Sequence, residues 1–401
     1  MNHNLLRLHP YPFAKMKSLL ANSTPNSDYE EIKLGIGEPK HETPKFVLDV
    51  LHENLNSLSH YPTTEGSFEL RQTIAHWLEK RFFLRHVDAH HQVLPVMGTR
   101  EAIFSFVQSL IDCSEETPDP IVIMPNPFYQ IYEGAAILAN ATPYFVPCTP
   151  DNEFKGDYRA VPVDVWERTQ LLFVCSPNNP TGSVMSLDDW EFLIRLSDKY
   201  SFVIASDECY SELYFDEPPI GLLQACTAFG RDDYKNCIVF HSLSKRSNLP
   251  GLRSGFVAGD ATILKSYLQY RTYQGCAMPI PHQFASIAAW QDEKHVAHNR
   301  ALYKEKFALW MDELGELLDL RMPNAGFYFW IKVPDLFAND DEAFVKALYE
   351  QANIHALAGR YLSREVNGQN PGQGYVRIAL VASVEESREA ITRIRQLLIT
   401  S

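Results

Sequence analysis

His241-Ser-Leu-Ser-Lys245, with Arg253 eight residues further on, is the stretch from which the rest of the chain can be read. One lysine stands among two hydroxyls, Ser242 and Ser244, and a guanidinium, with the small residues Ser254 and Gly255 close behind. Such a set suits a ligand that carries an aldehyde and a phosphate on one small ring. The amine forms a Schiff base while the other groups hold the phosphate. The run therefore predicts an attachment site for pyridoxal phosphate. Alone, it reads equally well as a surface lysine in a serine-rich turn, and three motifs upstream decide between the two.

Asp207-Glu-Cys-Tyr210 closes the apolar run Phe202-Val-Ile-Ala-Ser206. An acid at the carboxyl end of a buried strand is where open α/β sheets place ligand-binding groups. A carboxylate there can keep a pyridine nitrogen protonated, and Tyr210 can reach the ring's phenolic oxygen. Ser176-Pro-Asn-Asn-Pro-Thr-Gly182 follows the strand-like 171–175, and its prolines and glycine fix a turn that presents Asn179 to the same oxygen. Met97-Gly-Thr-Arg-Glu-Ala102 opens a helix continuing through Ile103, Phe106, Val107 and Leu110. Free backbone N–H groups at a helix N-terminus form an anion site, which makes Gly98, Thr99 and Arg100 candidates for the phosphate cradle. Taken singly, these read as a loop acid, a bare turn and an ordinary helix start.

In this order the motifs resemble the pyridoxal phosphate-dependent aminotransferases of fold type I, in the class I and II (aspartate aminotransferase) superfamily, over nearly the whole chain. The resemblance implies an α/β fold: a large domain with a mainly parallel mixed sheet between helices, and a small α+β domain. It implies that Lys245 carries the cofactor, that Asp207 partners the pyridine nitrogen, and that Asn179 and Tyr210 bond the ring oxygen. Gly98, Thr99, Arg100, Ser242, Ser244 and Arg253 fall on phosphate-contact positions. Within Pro125-Asn-Pro-Phe-Tyr129-Gln-Ile-Tyr132, Tyr129 matches the aromatic that stacks on the cofactor ring, with Phe128 its rival.

The family's substrate side maps in the same way. Gly374-Tyr-Val-Arg377 resembles the segment whose arginine clamps the substrate α-carboxylate, a task for a two-pronged guanidinium rather than a lysine. Gly35-Ile-Gly37-Glu-Pro39 looks like the loop that closes over that carboxylate. Tyr61 falls where the family sends a tyrosine to the neighbouring subunit's phosphate, so the expected assembly is a homodimer with shared sites. One departure stands in Gly275-Cys-Ala-Met, where the family often has Ser or Thr for the other subunit's phosphate; Gln274 is the stand-in nearby.

Composition narrows the partners. The 50 acidic against 36 basic residues give a net charge of −14, which argues against nucleic acid or an anionic membrane as the main partner. The 7 cysteines, an odd number without a C-x-x-C pair, suit free thiols in a reducing cytoplasm. Cys209 as a nucleophile is the weaker reading of its position. No zinc-like Cys/His spacing occurs, and no run of ~18 apolar residues indicates a membrane span. Small-molecule amino and keto acids are the expected partners, and the cytoplasm the expected compartment.

Apolar runs at 121–124, 171–175, 202–206, 237–241 and 255–258 alternate with helical stretches, the spacing of crossovers in a mainly parallel sheet. A helix is predicted over 68–82, where Leu70, Ile74, Trp77, Leu78 and Arg81 recur at helical spacing. A long helical stretch is predicted from about Pro281, then strands over 327–333 and 375–380 and helices over 341–352 and 385–399. The expected organisation is an arm over residues 1–45 returning to the small domain, a large domain over 46–285 and a small domain over 286–401.

The opening Leu8-His-Pro-Tyr-Pro-Phe13 and Gly35-Ile-Gly-Glu-Pro-Lys-His41 resemble the bacterial N-succinyldiaminopimelate aminotransferases, which use glutamate as donor. That subgroup's acceptor, N-succinyl-2-amino-6-oxopimelate, needs a second cation for its distal carboxylate, and Arg271, Arg360, Arg246 and Lys40 are the candidates. The rival readings are a general aspartate or aromatic aminotransferase, a C–S lyase of the same fold, and a non-catalytic binding module. A module of that kind normally carries a basic extension, and none is present.

Overall fold

The computed structural model describes residues 1–400. A seven-stranded sheet organises the first core, in the spatial order Val93–Val96, Gly255–Gly259, Cys237–Ser242, Val203–Asp207, Thr169–Cys175, Ile121–Asn126, Thr142–Pro147. Only Gly255–Gly259 runs against the others. The central strands are buried along their whole length, as expected of a sheet covered on both faces. Alternate residues divide between the two sides: Cys237 and Val239 join one apolar cluster, Ile238 and Phe240 the other.

The helices predicted over 68–82 and from the Gly98 turn start where expected. Phe68–Phe82 opens on Ser67, whose side chain accepts from the Leu70 N–H, and ends where Phe83 turns left-handed at φ 53°. Its Leu70, Ile74, Trp77 and Leu78 pack into one face of the sheet, and Thr99–Leu110 covers the other through Ala102, Ile103 and Phe106.

A second core forms around an antiparallel sheet of Leu357–Ala358, Tyr375–Ala379 and Tyr328–Lys332, covered by Lys294–Leu314, Asp341–Ala352 and Val384–Thr400. The N-terminal segment is stitched to it. Ile32–Lys33 pairs in parallel with Ile354–His355, and the Ala379 N–H donates to the Leu34 carbonyl at 2.7 Å. This anchors residues 35–39 beside Arg377.

Three expectations need correction. Val93–Val96 and Thr142–Pro147 are strands that the sequence reading did not mark; Pro95, Pro143 and Pro147 break their apolar pattern. The long helical stretch is two helices, Ile280–Gln291 and Lys294–Leu314, parted at Asp292. The boundary expected at 285/286 falls inside the first of these, whose Ala285, Ile287, Ala289 and Trp290 all belong to the large-sheet core. Among the described residues all 7 cysteines are free, no helix is long and apolar enough to cross a membrane, and no cluster of acids, histidines or cysteines is placed to hold a metal.

Candidate active site

The strands Thr169–Cys175, Val203–Asp207 and Cys237–Ser242 end at one edge of the sheet, and a cavity of about 610 Å³ opens there. Lys245 enters it from the one-turn helix Leu243–Arg246, which starts on Ser242 as its cap: the Ser242 hydroxyl accepts from the Ser244 N–H at 3.1 Å. The Lys245 ammonium donates to the Gly37 carbonyl at 2.5 Å. Burial, with Arg377 and Arg100 adding their charge, brings its pKa down to about 8, while the Cys209 thiol beside it acts in the opposite sense.

Asp207 is the last residue of its strand and 6% exposed. One carboxylate oxygen accepts from the Tyr132 hydroxyl at 2.7 Å, the other from the Cys209 N–H at 3.3 Å. Tyr132 lies flat on Phe173 at 4.4 Å, so the phenol that holds Asp207 is itself fixed by packing. Burial and the neighbouring Asp207 charge push that phenol's pKa far up, which keeps it a donor.

The Arg253 guanidinium lies against Gly98 at the start of Thr99–Leu110. A Cβ on Gly98 would stand 2.2 Å from Arg253 Nη2, and Gly98 has φ +86°, so glycine is required twice over. Arg253 donates to the Pro250 carbonyl at 2.9 Å, and the Ser242 and Ser244 hydroxyls, 3.0 Å apart, share the cavity with it. The result is a cradle of helix N-terminus, guanidinium and hydroxyls.

Arg377 sits across the cavity on Tyr375–Ala379. It donates to Asn179 Oδ1 at 3.0 Å and to the Gly35 carbonyl at 2.8 Å, packs over the Tyr328 ring at 4.5 Å, and has a buried Nε without a hydrogen-bond partner. The Tyr210 and Tyr328 hydroxyls meet at 3.0 Å, and burial pushes both phenols up. Gly37 passes so close that a Cβ would lie 1.9 Å from the Tyr328 hydroxyl.

Two further positions separate clearly. Tyr129 lines the cavity, its hydroxyl accepting from Arg100 Nε at 2.6 Å, whereas Phe128 is 1% exposed and packs on Phe145 away from it. Tyr61 is fully exposed at 101% and touches nothing in its own cavity.

Lys245, Asp207, Asn179, Tyr210, Tyr129, Thr99, Arg100, Ser242, Ser244, Arg253, Gly37 and Arg377 thus converge on one cavity, with Gly98 against it. The distal-carboxylate candidates do not. Arg271 is buried against Glu101, Arg246 pairs with Glu293 at 2.6 Å, and Arg360 is held by Asp340, Asp341 and Glu342. Each is neutralised by an acid on a neighbouring element, which a sequence window does not display. Lys40 is exposed outside the cavity and Gln274 is exposed at the end of Ala261–Gln274. Tyr132 and Tyr328 carry parts of the site that the sequence reading left without a role. Tyr132 stood inside a quoted motif, while Tyr328 had no signal beyond its apolar strand.

Comparison with known proteins agrees with this geometry. A model of the class I and II aminotransferases matches residues 29–394. The LL-diaminopimelate aminotransferase of Aquifex aeolicus is 31% identical over 395 residues, 97% of each chain. That of Moorella thermoacetica is 32% identical over 398 residues, 98% of this chain and 96% of the relative. An aminotransferase from Neisseria meningitidis superposes with a TM-score of 0.94 at 50% identity, over 99% of this chain and 100% of that one. The aminotransferase AspB of Helicobacter pylori gives 0.87 at 35% identity, over 96% and 99%.

Proposed function

Because the chain belongs to the class I and II aminotransferases, a pyridoxal phosphate-dependent family, we propose that it moves an amino group from glutamate to a long keto acid of the diaminopimelate type, with N-succinyl-2-amino-6-oxopimelate as acceptor. The cofactor fits the residues present. The Gly98–Arg253 cradle, which a single Cβ would fill, suits the phosphate together with Thr99, Ser242 and Ser244. Asp207 would partner the ring nitrogen, Asn179 and Tyr210 the ring oxygen, and Tyr129 the ring face, and Lys245 would carry the group through its amine. Tyr61, exposed in its own chain, completes the phosphate site of a second copy, so the working unit is a homodimer.

When bound, the cofactor supplies a cationic conjugated ring that takes up the electron pair left as the substrate's Cα–H bond breaks. Lys245 moves that proton. At about pKa 8 roughly a tenth of its amine is free base at pH 7, far more than for an exposed lysine. Asp207, fixed by Tyr132, keeps the ring nitrogen charged. Arg377 holds the α-carboxylate in both half-reactions, its direction set by Asn179 and the Gly35 carbonyl. The 36–38 loop and Tyr328 line the cavity beside Arg377.

One observation carries the substrate reading. Arg100, Arg253 and Arg377 all line the cavity, and among the described residues none makes an ion pair. Three free guanidiniums match three anions: the cofactor phosphate, the α-carboxylate and a distal carboxylate, with Arg100 at the exposed mouth left for the last. The relatives' printed substrate, LL-diaminopimelate, has one α-carboxylate and one distal carboxylate; the succinylated acceptor carries a further carboxylate on its succinyl group.

Glutamate-dependent amination of N-succinyl-2-amino-6-oxopimelate tests the proposal, with oxaloacetate and the unsuccinylated keto acid, 2-amino-6-oxopimelate, assayed alongside as acceptors. The succinylated acceptor is expected to be preferred. Oxaloacetate better by about tenfold, a difference of ~1.4 kcal/mol, replaces the reading with a general aspartate aminotransferase. A preference for the unsuccinylated keto acid, whose amination gives diaminopimelate, replaces it with the relatives' substrate. Release of pyruvate from a sulfur amino acid without glutamate use replaces it with a C–S lyase.

A further inference from the structure

Below the cavity floor runs a polar chain that amino transfer, as described above, does not use. Asn299, Tyr303 and Lys306 occupy one face of Lys294–Leu314 and are 1%, 0% and 2% exposed. His41, two residues beyond the Gly35–Pro39 loop, lies on this face, its ring 4.4 Å from that of Tyr303. The Lys306 ammonium meets His41 Nε2 at 2.7 Å and the Leu380 carbonyl at 3.2 Å. His41 Nδ1 meets Asn299 Oδ1 at 2.7 Å, and the Asn299 amide donates to the carbonyls of Lys245 at 3.2 Å and Arg246 at 3.3 Å.

The donors and acceptors run in one direction. Backbone carbonyls only accept, so Asn299 must turn its NH₂ toward Lys245 and Arg246 and its oxygen toward His41. Asn248 Nδ2 also donates to that oxygen, at 2.9 Å, which agrees. His41 must then carry its proton on Nδ1, and its bare Nε2 accepts from Lys306. A protonated ring would set N–H against ammonium; burial, with Lys306 adding its charge, takes the His41 pKa down to about 4, in keeping with a neutral ring.

Both ends of the chain reach the active site. The Lys245 and Arg246 carbonyls end a one-turn helix and have no intrahelical partner, and Asn299 supplies one. Leu380 follows the strand that bears Arg377, and His41 follows the loop whose Gly37 and Gly35 carbonyls receive Lys245 and Arg377.

We propose that His41 is a positioning residue for amino transfer: held as the Nδ1–H tautomer between Lys306 and Asn299, it fixes the backbone turn that presents Lys245 and ties that turn to the Arg377 side of the cavity. Asparagine can place its NH₂ near Nδ1 and keep the donor to Asn299; glutamine reaches toward Nε2 and does not.

The test uses the full-length holoenzyme labelled with ¹⁵N-histidine, the His41 signals being assigned by their loss in His41→Asn. Near neutral pH the expected spectrum has Nδ1 protonated and Nε2 bare; an Nε2–H ring or an imidazolium overturns the proposal. This arm needs only the conservative variant to fold. In steady state, His41→Asn is expected within about threefold of the parent, and His41→Gln about tenfold lower in kcat with its KM for glutamate within about threefold. The pH midpoint of the visible absorption of the lysine-bound cofactor is expected to move in the Gln variant alone. Equal behaviour of the two variants in rate and midpoint overturns the proposal.

Discussion

The cavity wall that carries Asn179, Asp207, Ser242 and Lys245 is built from consecutive strand ends of one sheet, whereas the wall facing it, Tyr11, residues 36–38, Tyr328 and Arg377, is gathered from nearly the full length of the chain. The first is held by a crossover fold whose strands are buried throughout, so each residue is placed by its position at a strand end. In the second, Tyr328 and Arg377 stand on paired strands of the small antiparallel sheet, and the N-terminal residues join them through a two-residue parallel pairing, Ile32–Lys33 with Ile354–His355, and single bonds such as Arg377 to the Gly35 carbonyl. A wall held by one sheet suits a resident cofactor, and a wall completed by an N-terminal loop suits substrates that enter and leave.

Substitutions on the two walls are expected to differ in kind. Lys245→Ala has the largest effect, since it removes both the attachment and the proton carrier: amino transfer should fall at least about 10⁴-fold. Asp207→Asn should retain cofactor by absorbance yet lose well over tenfold in kcat, above ~1.4 kcal/mol, because an amide does not hold a cationic ring nitrogen. Activity within about threefold of the parent would remove Asp207 from its role.

For the arginines that meet substrate carboxylates the losses should appear in kcat/KM. Arg377→Lys keeps the charge but not the fork, and should cost glutamate and the keto acid alike, about 2 kcal/mol each. Arg100→Met should cost only substrates with a distal carboxylate, by about tenfold, leaving a monocarboxylic amino acid nearly unchanged. Uniform loss across substrates would move Arg100 back to the phosphate. The smallest effect is expected for Tyr132→Phe, which removes one hydrogen bond to Asp207 and should lower kcat by roughly 1 kcal/mol without altering KM. A KM effect there would break the division between the walls.

The two walls also differ in how far the sequence disclosed them. Lys245, Asp207 and Asn179 each follow an apolar strand in a short motif, so chemistry and scaffold are adjacent in the chain. Helix 68–82 was legible for the same reason, because its apolar period and its Ser67 cap lie in one window. Tyr328 was not, since its partner hydroxyl on Tyr210 is brought to it only by folding. The cations Arg246, Arg271 and Arg360 looked available because their neutralising acids lie on other elements or turn back from a neighbouring loop. Burial and pairing decide whether a charge is free, and neither is written locally. The exposed Tyr61 is the converse case: its motif pointed to a second subunit, and nothing in its own chain occupies it.

The site of cofactor attachment tests the division most directly. Borohydride reduction of the holoenzyme followed by peptide mapping should place the reduced cofactor on the peptide containing Lys245, with the Lys245→Ala protein unlabelled. A label on any other lysine, or undiminished labelling of Lys245→Ala, would contradict the assignment of the cofactor to the strand-end wall.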